Sequence, residues 1–291
     1  MKDRIDPLIA ERAPWVYRSG THVRVVRGLL HIMLGYDRTL AIANEIEHMS
    51  APELMDHLAD MIAHNVEVEG IENVPAEGPA MLVSNHPTGI ADGIILWSAL
   101  RKRRPDLFFF ANRDAIRVMP QTASMIAPVE WRKDRRSHGS NRETLTYAAN
   151  AFRDGRLAVL FPSGRLAKRR WLRLHERPWM PSAAMLARKY NLPVVPLHIT
   201  ARNSVLFYLF DALHPTLRDI TLFYEVINKH KHSFKIRAAK PLDGGALSRD
   251  SEIATDTLYR ATLRAGEVGN YSVLIPNKPQ RGRKPLLTRG Y

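Results

Sequence analysis

GPAMLVSNHPTGIADGIILWSAL, residues 78–100, is the stretch whose reading decides the fold. GPAMLVS is a short apolar run of the kind that forms a buried strand. From Gly93 to Arg103 the apolar residues recur as in a helix. Between them lie Asn85-His86-Pro87-Thr88-Gly89, where Pro and Gly make an unbroken helix improbable and a turn expected. A strand that passes through a tight turn into a helix is half of a strand–helix–strand unit.

The same alternation continues along the chain. NVEVEGIENVP (65–75) alternates like an edge strand, and DLFFFA, RLAVLFP, LPVVPLHI and SFKIRAA follow as short apolar runs. Helical patterns separate them over Asn141–Arg153 and Pro181–Tyr190, and Ser248–Arg264 reads as a closing helix. The expected class is α/β, with a mostly parallel sheet flanked by helices. Ligands of such sheets sit beyond the carboxyl ends of the strands, so the NHPTG turn and the FPSGR turn (161–165) should share one edge.

Residues 1–64 read as a helical N-terminal extension. Val23, Val26, Leu29, Leu30, Met33 and Leu34 recur at helical spacing, with Arg24 and Arg27 between them. Ser50-Ala51-Pro52-Glu53 is a capping box opening a further helix. These helices are expected to pack on the main domain, the alternative for the first stripe being a membrane-surface helix. The expected division is 1–64 helical segment, 65–245 α/β domain, and 246–291 closing helix with a basic tail, KPQRGRKPLLTRGY.

Of the 291 residues, 45% are hydrophobic, enough for a full core, and none is cysteine. Disulfides, thiolate nucleophiles and Cys metal sites are thereby excluded. His22, His31, His48, His57 and His64 show no zinc-like spacing, so no metal site is expected. The opening residues lack the apolar core of a signal peptide, and no run approaches the ~18 apolar residues of a membrane span. VLFYLF (205–210) is the most apolar window, either a lip near the active edge or an ordinary buried segment. Lys and Arg number 43 against 29 acids, a formal charge of +14. Such a surface attracts nucleic acid, anionic lipid or phosphorylated ligands, and charge alone does not choose among them.

Three strand-end turns carry candidate chemistry. On a continuous helix His86 and Asp92 would stand about 240° apart; across a turn, Asp92 can fold back onto one imidazole nitrogen and leave the other as a general base. The alternative reading is structural, with Asp92 the N-cap of the helix from Gly93. FPSGRLAKRR presents Arg165, Lys168, Arg169 and Arg170 after a Gly-bearing turn, which suits an anion. FFFANRDAIR places Asn112 and Arg113 just past another strand.

NHPTGIAD, the Arg113 segment, FPSGR and VVPLHI, in this order, resemble the four blocks of the glycerolipid acyltransferase superfamily, which includes the lysophosphatidic acid acyltransferases. The form NHP-x-G-x-x-D, with RNS at 202–204 and HPTLR at 214–218, looks most like its bacterial hemolysin-like and ornithine-lipid acyltransferase-like branch. The resemblance covers roughly 65–242. It implies transfer of an acyl chain from acyl-CoA or acyl carrier protein, as co-substrate rather than bound cofactor, to a hydroxyl of a lysolipid or related amphiphile. His86 is then the base and Asp92 its orienting partner. Asn85, Arg113, Ser163, Gly164, Arg165 and Lys168 fall in substrate-binding blocks, and Val195–Pro196 lie by the acyl channel. The implied partners are a lipid acceptor, an anionic membrane surface and an acyl carrier protein, with the enzyme on the inner face of the cytoplasmic membrane. Two departures stand out. Five residues rather than four separate His86 from Asp92. Ser163 and Arg165 replace the Glu and Thr usual in Phe-Pro-Glu-Gly-Thr-Arg, which leaves the acceptor open. A catalytically inactive lipid-binding relative and a basic nucleic-acid-binding protein are the alternatives; no nucleic-acid motif is found, and no nucleic-acid partner is expected.

Overall fold

The structure is a computed structural model that describes residues 1–130, 137–171 and 173–267. The basic tail therefore lies outside the described residues. In chain order the elements are α1 (Lys2–Arg12), α2 (Thr21–Met33), α3 (Tyr36–Glu45), α4 (Ala51–Ile62), β1 (Asn65–Glu69), β2 (Ala80–Ser84), α5 (Ile90–Leu100), β3 (Phe108–Asn112), α6 (Asp114–Val118), β4 (Ile126–Val129), α7 (His138–Arg153) and β5 (Leu157–Leu160). There follow β6 (Lys168–Arg170), β7 (Arg173–His175), α8 (Ser182–Tyr190), β8 (Pro193–Thr200), α9 (Val205–Leu213), α10 (Pro215–Ile220), α11 (Leu222–Asn228), β9 (Ser233–Ala238), β10 (Leu242–Asp243) and α12 (Ser251–Glu267).

The main sheet runs in the order β1-β9-β8-β2-β5-β3-β4, and β10 pairs with the start of β8. From β8 to β4 every neighbour is parallel. β9 pairs antiparallel with β8, and β1 parallel with β9. The class is the expected one, a mostly parallel sheet flanked by helices.

Continuous apolar runs are needed because the central strands are covered on both faces. Along β2, Ala80 and Leu82 pack towards one side while Met81 and Val83 pack towards the other. α4 and α5 contribute to the first layer through Leu96, Leu100 and Ile62; α7, α8 and α12 contribute to the second through Phe152, Leu186 and Leu258. The N-terminal helices pack on this body. Ile5 and Leu8 of α1 cluster with Ala43 of α3 and Val118 of α6, and Leu30 of α2 and Leu34 just after it cluster with Phe210 of α9.

The VLFYLF segment is a helix that divides the two readings between its faces. Phe207 and Phe210 are core, whereas Val205, Leu209 and Leu213 are exposed. At four-residue intervals these last three form one stripe, so the outward residues are not the phenylalanines. Among the described residues no helix is long and apolar enough to cross a membrane.

Candidate active site

Because β2, β3, β5 and β8 run parallel, the turns after them open on one edge of the sheet. β2 ends by handing its ladder to a side chain. Asn85 Nδ2 donates to the Ile199 carbonyl at 2.9 Å, and Ile199 N–H donates to Asn85 Oδ1 at 2.7 Å. The amide stands in for one more peptide of the β2–β8 ladder. Both ends of the Asn85 amide are thus engaged by the sheet.

Beyond it the chain turns, and Asp92 organises the turn. Helix α5 begins earlier than Gly93, at Ile90, so Asp92 sits in its first turn rather than at the N-cap. Its wholly buried carboxylate accepts the N–H groups of Thr88 (2.9 Å) and Gly89 (3.0 Å), and the Thr88 hydroxyl. Gly89 has φ +92°, and a Cβ there would meet Leu166 at 3.0 Å, so the position favours glycine on both counts. Folding the chain back brings His86 Nδ1 to 2.9 Å from Asp92 Oδ2. That is ion-pair distance, although the ring N–H is not aligned well enough for a regular hydrogen bond. The imidazole stacks on Phe161, centroids 4.2 Å apart, and its side chain keeps 20% exposure. The backbone of His86 is held as well, its carbonyl by Ala167 N–H and its N–H by Glu176.

His86 and Gly89 line a cavity of about 1200 Å³. Its walls are largely apolar and come from both parts of the chain: Leu8 of α1, Ile42 of α3 and Leu58 of α4 face Phe109 and Ile94 of the α/β part. Val195 and Pro196 do not line it. They sit inside β8, Val195 wholly buried in the layer shared with α5, because a strand covered on both faces has no side free for a channel. The N-terminal helices supply part of the apolar wall.

The expected anion-binding residues are dispersed. Arg113 begins α6 and pairs with Glu143 of α7. Gly164 lines the cavity, with φ +58° in the turn, while Ser163 is buried and donates to the Arg165 carbonyl at 2.8 Å. Arg165 and Lys168 are exposed. Lys168 opens a hairpin, β6–β7. Arg169 lies over the Tyr208 ring, 4.8 Å from its centroid. Two residues near the site carried no signal of their own in the sequence: Glu176 and Arg12. Arg12 lines the cavity and pairs with Asp114 at 2.8 Å. Burial raises the Glu176 carboxyl above the ordinary range, against the pull of His86, Ser163 and Trp179. Among the described residues no group of His, Cys, Asp and Glu is arranged to hold a metal ion.

Below the turn lies a second buried charge pair. Lys229 donates to Glu225 at 2.6 Å and to Asn203 Oδ1 at 2.7 Å, and Glu225 accepts Ser204 N–H at 3.0 Å. The RNS triplet is thereby fixed from α11.

Residues 65–200 match the family described as Acyltransferase. That match, with the relatives that follow, marks the protein as an acyltransferase. The chain is 23% identical over 224 residues to a lyso-glycine lipid O-acyltransferase of Phocaeicola vulgatus, covering 75% of this chain and 78% of that one. It is likewise 23% identical over 245 residues to a lyso-glycine lipid O-acyltransferase of Bacteroides thetaiotaomicron, covering 82% and 87%. The crystal structure of the 1-acyl-sn-glycerophosphate acyltransferase of Thermotoga maritima superposes with a TM-score of 0.50 at 15% identity, over 85% of this chain and 98% of that one. In sequence over residues 65–200, and in fold, the chain is similar to the glycerolipid acyltransferases.

Proposed function

We propose that the protein moves a fatty acyl chain from an acyl thioester, acyl-CoA or acyl carrier protein, to a hydroxyl of a lysolipid, with His86 as the general base. The observation that carries this reading is the His86–Asp92 contact, with His86 on the wall of the apolar cavity. Asp92 faces Nδ1 and so favours the tautomer with its proton there, leaving the Nε2 lone pair for the acceptor. As the hydroxyl oxygen attacks the thioester carbon, Nε2 takes its proton and the carbonyl becomes an oxyanion. Collapse of that intermediate breaks the C–S bond, and the departing thiolate recovers the proton from Nε2. Asp92 stabilises the imidazolium in between. No acyl-enzyme and no permanently bound cofactor enter the scheme.

The working division is an acyltransferase unit over 65–245, a helical segment over 1–64 that supplies much of the acyl-chain wall, and a C-terminal part over 246–291. Ser163 and Gly164 shape the acceptor side, with Arg165 and Lys168 at its rim. Arg113, engaged by Glu143, is poorly placed to clamp a phosphate without first breaking that pair. This, together with the similarity to lyso-glycine lipid O-acyltransferases, favours a lyso-amino-acid lipid over lysophosphatidate as acceptor.

The site of action is the inner face of the cytoplasmic membrane. In support, α2 leaves Val25, Val26, Leu29, Ile32 and Met33 exposed, Ile32 by 82%, and the net charge of +14 suits anionic lipid.

The test is product formation, followed by mass spectrometry, from acyl-CoA or acyl carrier protein with lyso-glycine lipid, lyso-ornithine lipid and lysophosphatidate. An O-acylated amino-acid lipid should form fastest, and His86→Ala should lower turnover by about 10²-fold or more. Undiminished turnover in that variant would refute the base. Preference for lysophosphatidate would refute the acceptor class.

A further inference from the structure

The β6–β7 hairpin leaves the site and returns to it, and both of its feet hold His86. Ala167 N–H donates to the His86 carbonyl at 2.8 Å. His86 N–H donates to Glu176 Oε2 at 3.2 Å. The other Glu176 oxygen accepts Trp179 Nε1–H at 3.1 Å, and the Ser163 hydroxyl, which donates to the Arg165 carbonyl, lies beside the same carboxylate. One carboxylate therefore joins the turn after β2 to the segment that leads into α8, with the turn after β5 alongside. It is partly buried, and desolvation works against its charge. A carboxylate in such a place is retained at a cost unless its donors need it.

We propose that Glu176 is a positioning residue for His86, supplying from the far foot of the hairpin the carboxylate that the FPSGR turn lacks at Ser163. The proposal rests on the reading of His86 as the base. Asp92 fixes the ring and the backbone downstream of it, at Thr88 and Gly89. Glu176 fixes the backbone of residue 86 itself, from the opposite side of the turn. Together they hold the ring's attachment point as well as its tip. Without Glu176 the His86 N–H and the Trp179 indole lose their acceptor, and the turn is free to shift towards Ser163. A displacement of about 1 Å at the base is enough to cost roughly 10²-fold in rate. Because Glu176 does not line the cavity, the loss should fall on kcat and leave KM little changed.

Four variants test this by steady-state kinetics and thermal unfolding: Glu176→Ala, Glu176→Gln, Ser163→Glu, and Ser163→Glu combined with Glu176→Ala. Glu176→Ala should lower kcat by roughly 10- to 100-fold. Glu176→Gln should also fall, because one end of the amide is a donor facing another donor. Ser163→Glu alone should be impaired by setting two carboxylates together. The double variant, in which the new carboxylate enters the vacated space, should recover about tenfold over Glu176→Ala. Normal kcat in Glu176→Gln, a loss confined to KM, or a folded double variant with no recovery would each overturn the proposal. If Glu176→Ala does not fold, the Gln and double variants decide. His86→Ala run alongside separates the two readings. Full activity there removes the base itself, whereas its loss together with an unaffected Glu176→Gln removes only the positioning role.

Discussion

Asp92 lends itself to a paired perturbation in which stability and turnover should part company. Asp92→Ala removes one carboxylate and strands two backbone N–H groups and the Thr88 hydroxyl, all in a buried turn. A buried donor left unpaired costs about 1–3 kcal/mol. Sharing one site, the three will not add fully, so a total of about 3–5 kcal/mol is expected. At about 2–4 °C per kcal/mol for a protein approaching this size, the melting temperature should fall by roughly 8–15 °C. Asp92→Asn is milder. Its oxygen still accepts from Thr88 and Gly89, and the Thr88 hydroxyl can rotate to accept from the new amide. Exchanging charge-assisted for neutral bonds should cost only about 1 kcal/mol. Yet the amide carries no charge to support an imidazolium, so turnover should fall by about 10²-fold or more. Calorimetry and mass-spectrometric turnover on the same preparations measure both quantities. An Asn variant with normal turnover, or an Ala variant that melts with the parent protein, would refute the reasoning.

Three further outcomes follow from other parts of the molecule. Leu29→Asp with Ile32→Asp, on the exposed face of α2, should weaken sedimentation with anionic vesicles while leaving the melting temperature near that of the parent; unchanged binding would exclude α2 as a membrane contact. Lys229→Met leaves Glu225 buried without its partner and should destabilise by about 3–5 kcal/mol in urea unfolding, much of it recovered when Glu225→Gln is added. Burial, with Arg237 adding to it, lowers the His198 pKa to about 4. The unfolded chain then takes up a proton first, near 6.5, so this residue's contribution is complete above that pH and is lost as pH falls towards 4. At most about 3 kcal/mol is involved, and His198→Gln should flatten that limb of the stability profile.

Much of the architecture is visible in the sequence because a two-sided strand has to be apolar throughout: β2, β5 and β8 are such runs. β4 is not. It is a four-residue edge strand, Ile126–Val129, containing Pro128, and a proline argues against a strand except at an edge. β6 and β7 escaped because Lys168–Arg170 and Arg173–His175 pair through their backbones and show no apolar alternation. At the site, the His86–Asp92 contact was legible since a short turn can bring together only neighbours. Arg113–Glu143 and His86–Glu176 were not, being 30 and 90 residues apart and joined only by tertiary folding. Of the N-terminal helices, a stripe over α2 and a capping box ahead of α4 could be read, but not what those helices enclose.

The side-chain amide at Asn85 gives the protein a point of chemical ageing. The position works because one end of the amide donates and the other accepts, each matched by the backbone of Ile199. Hydrolysis of that amide, to which asparagine is prone at high temperature, would leave a carboxylate oxygen facing the Ile199 carbonyl. Two acceptors would then confront each other directly beneath His86, and the end of β2 would have to move. Prolonged heating should therefore silence molecules one at a time, each still largely folded, with the conversion readable by peptide mapping at residue 85.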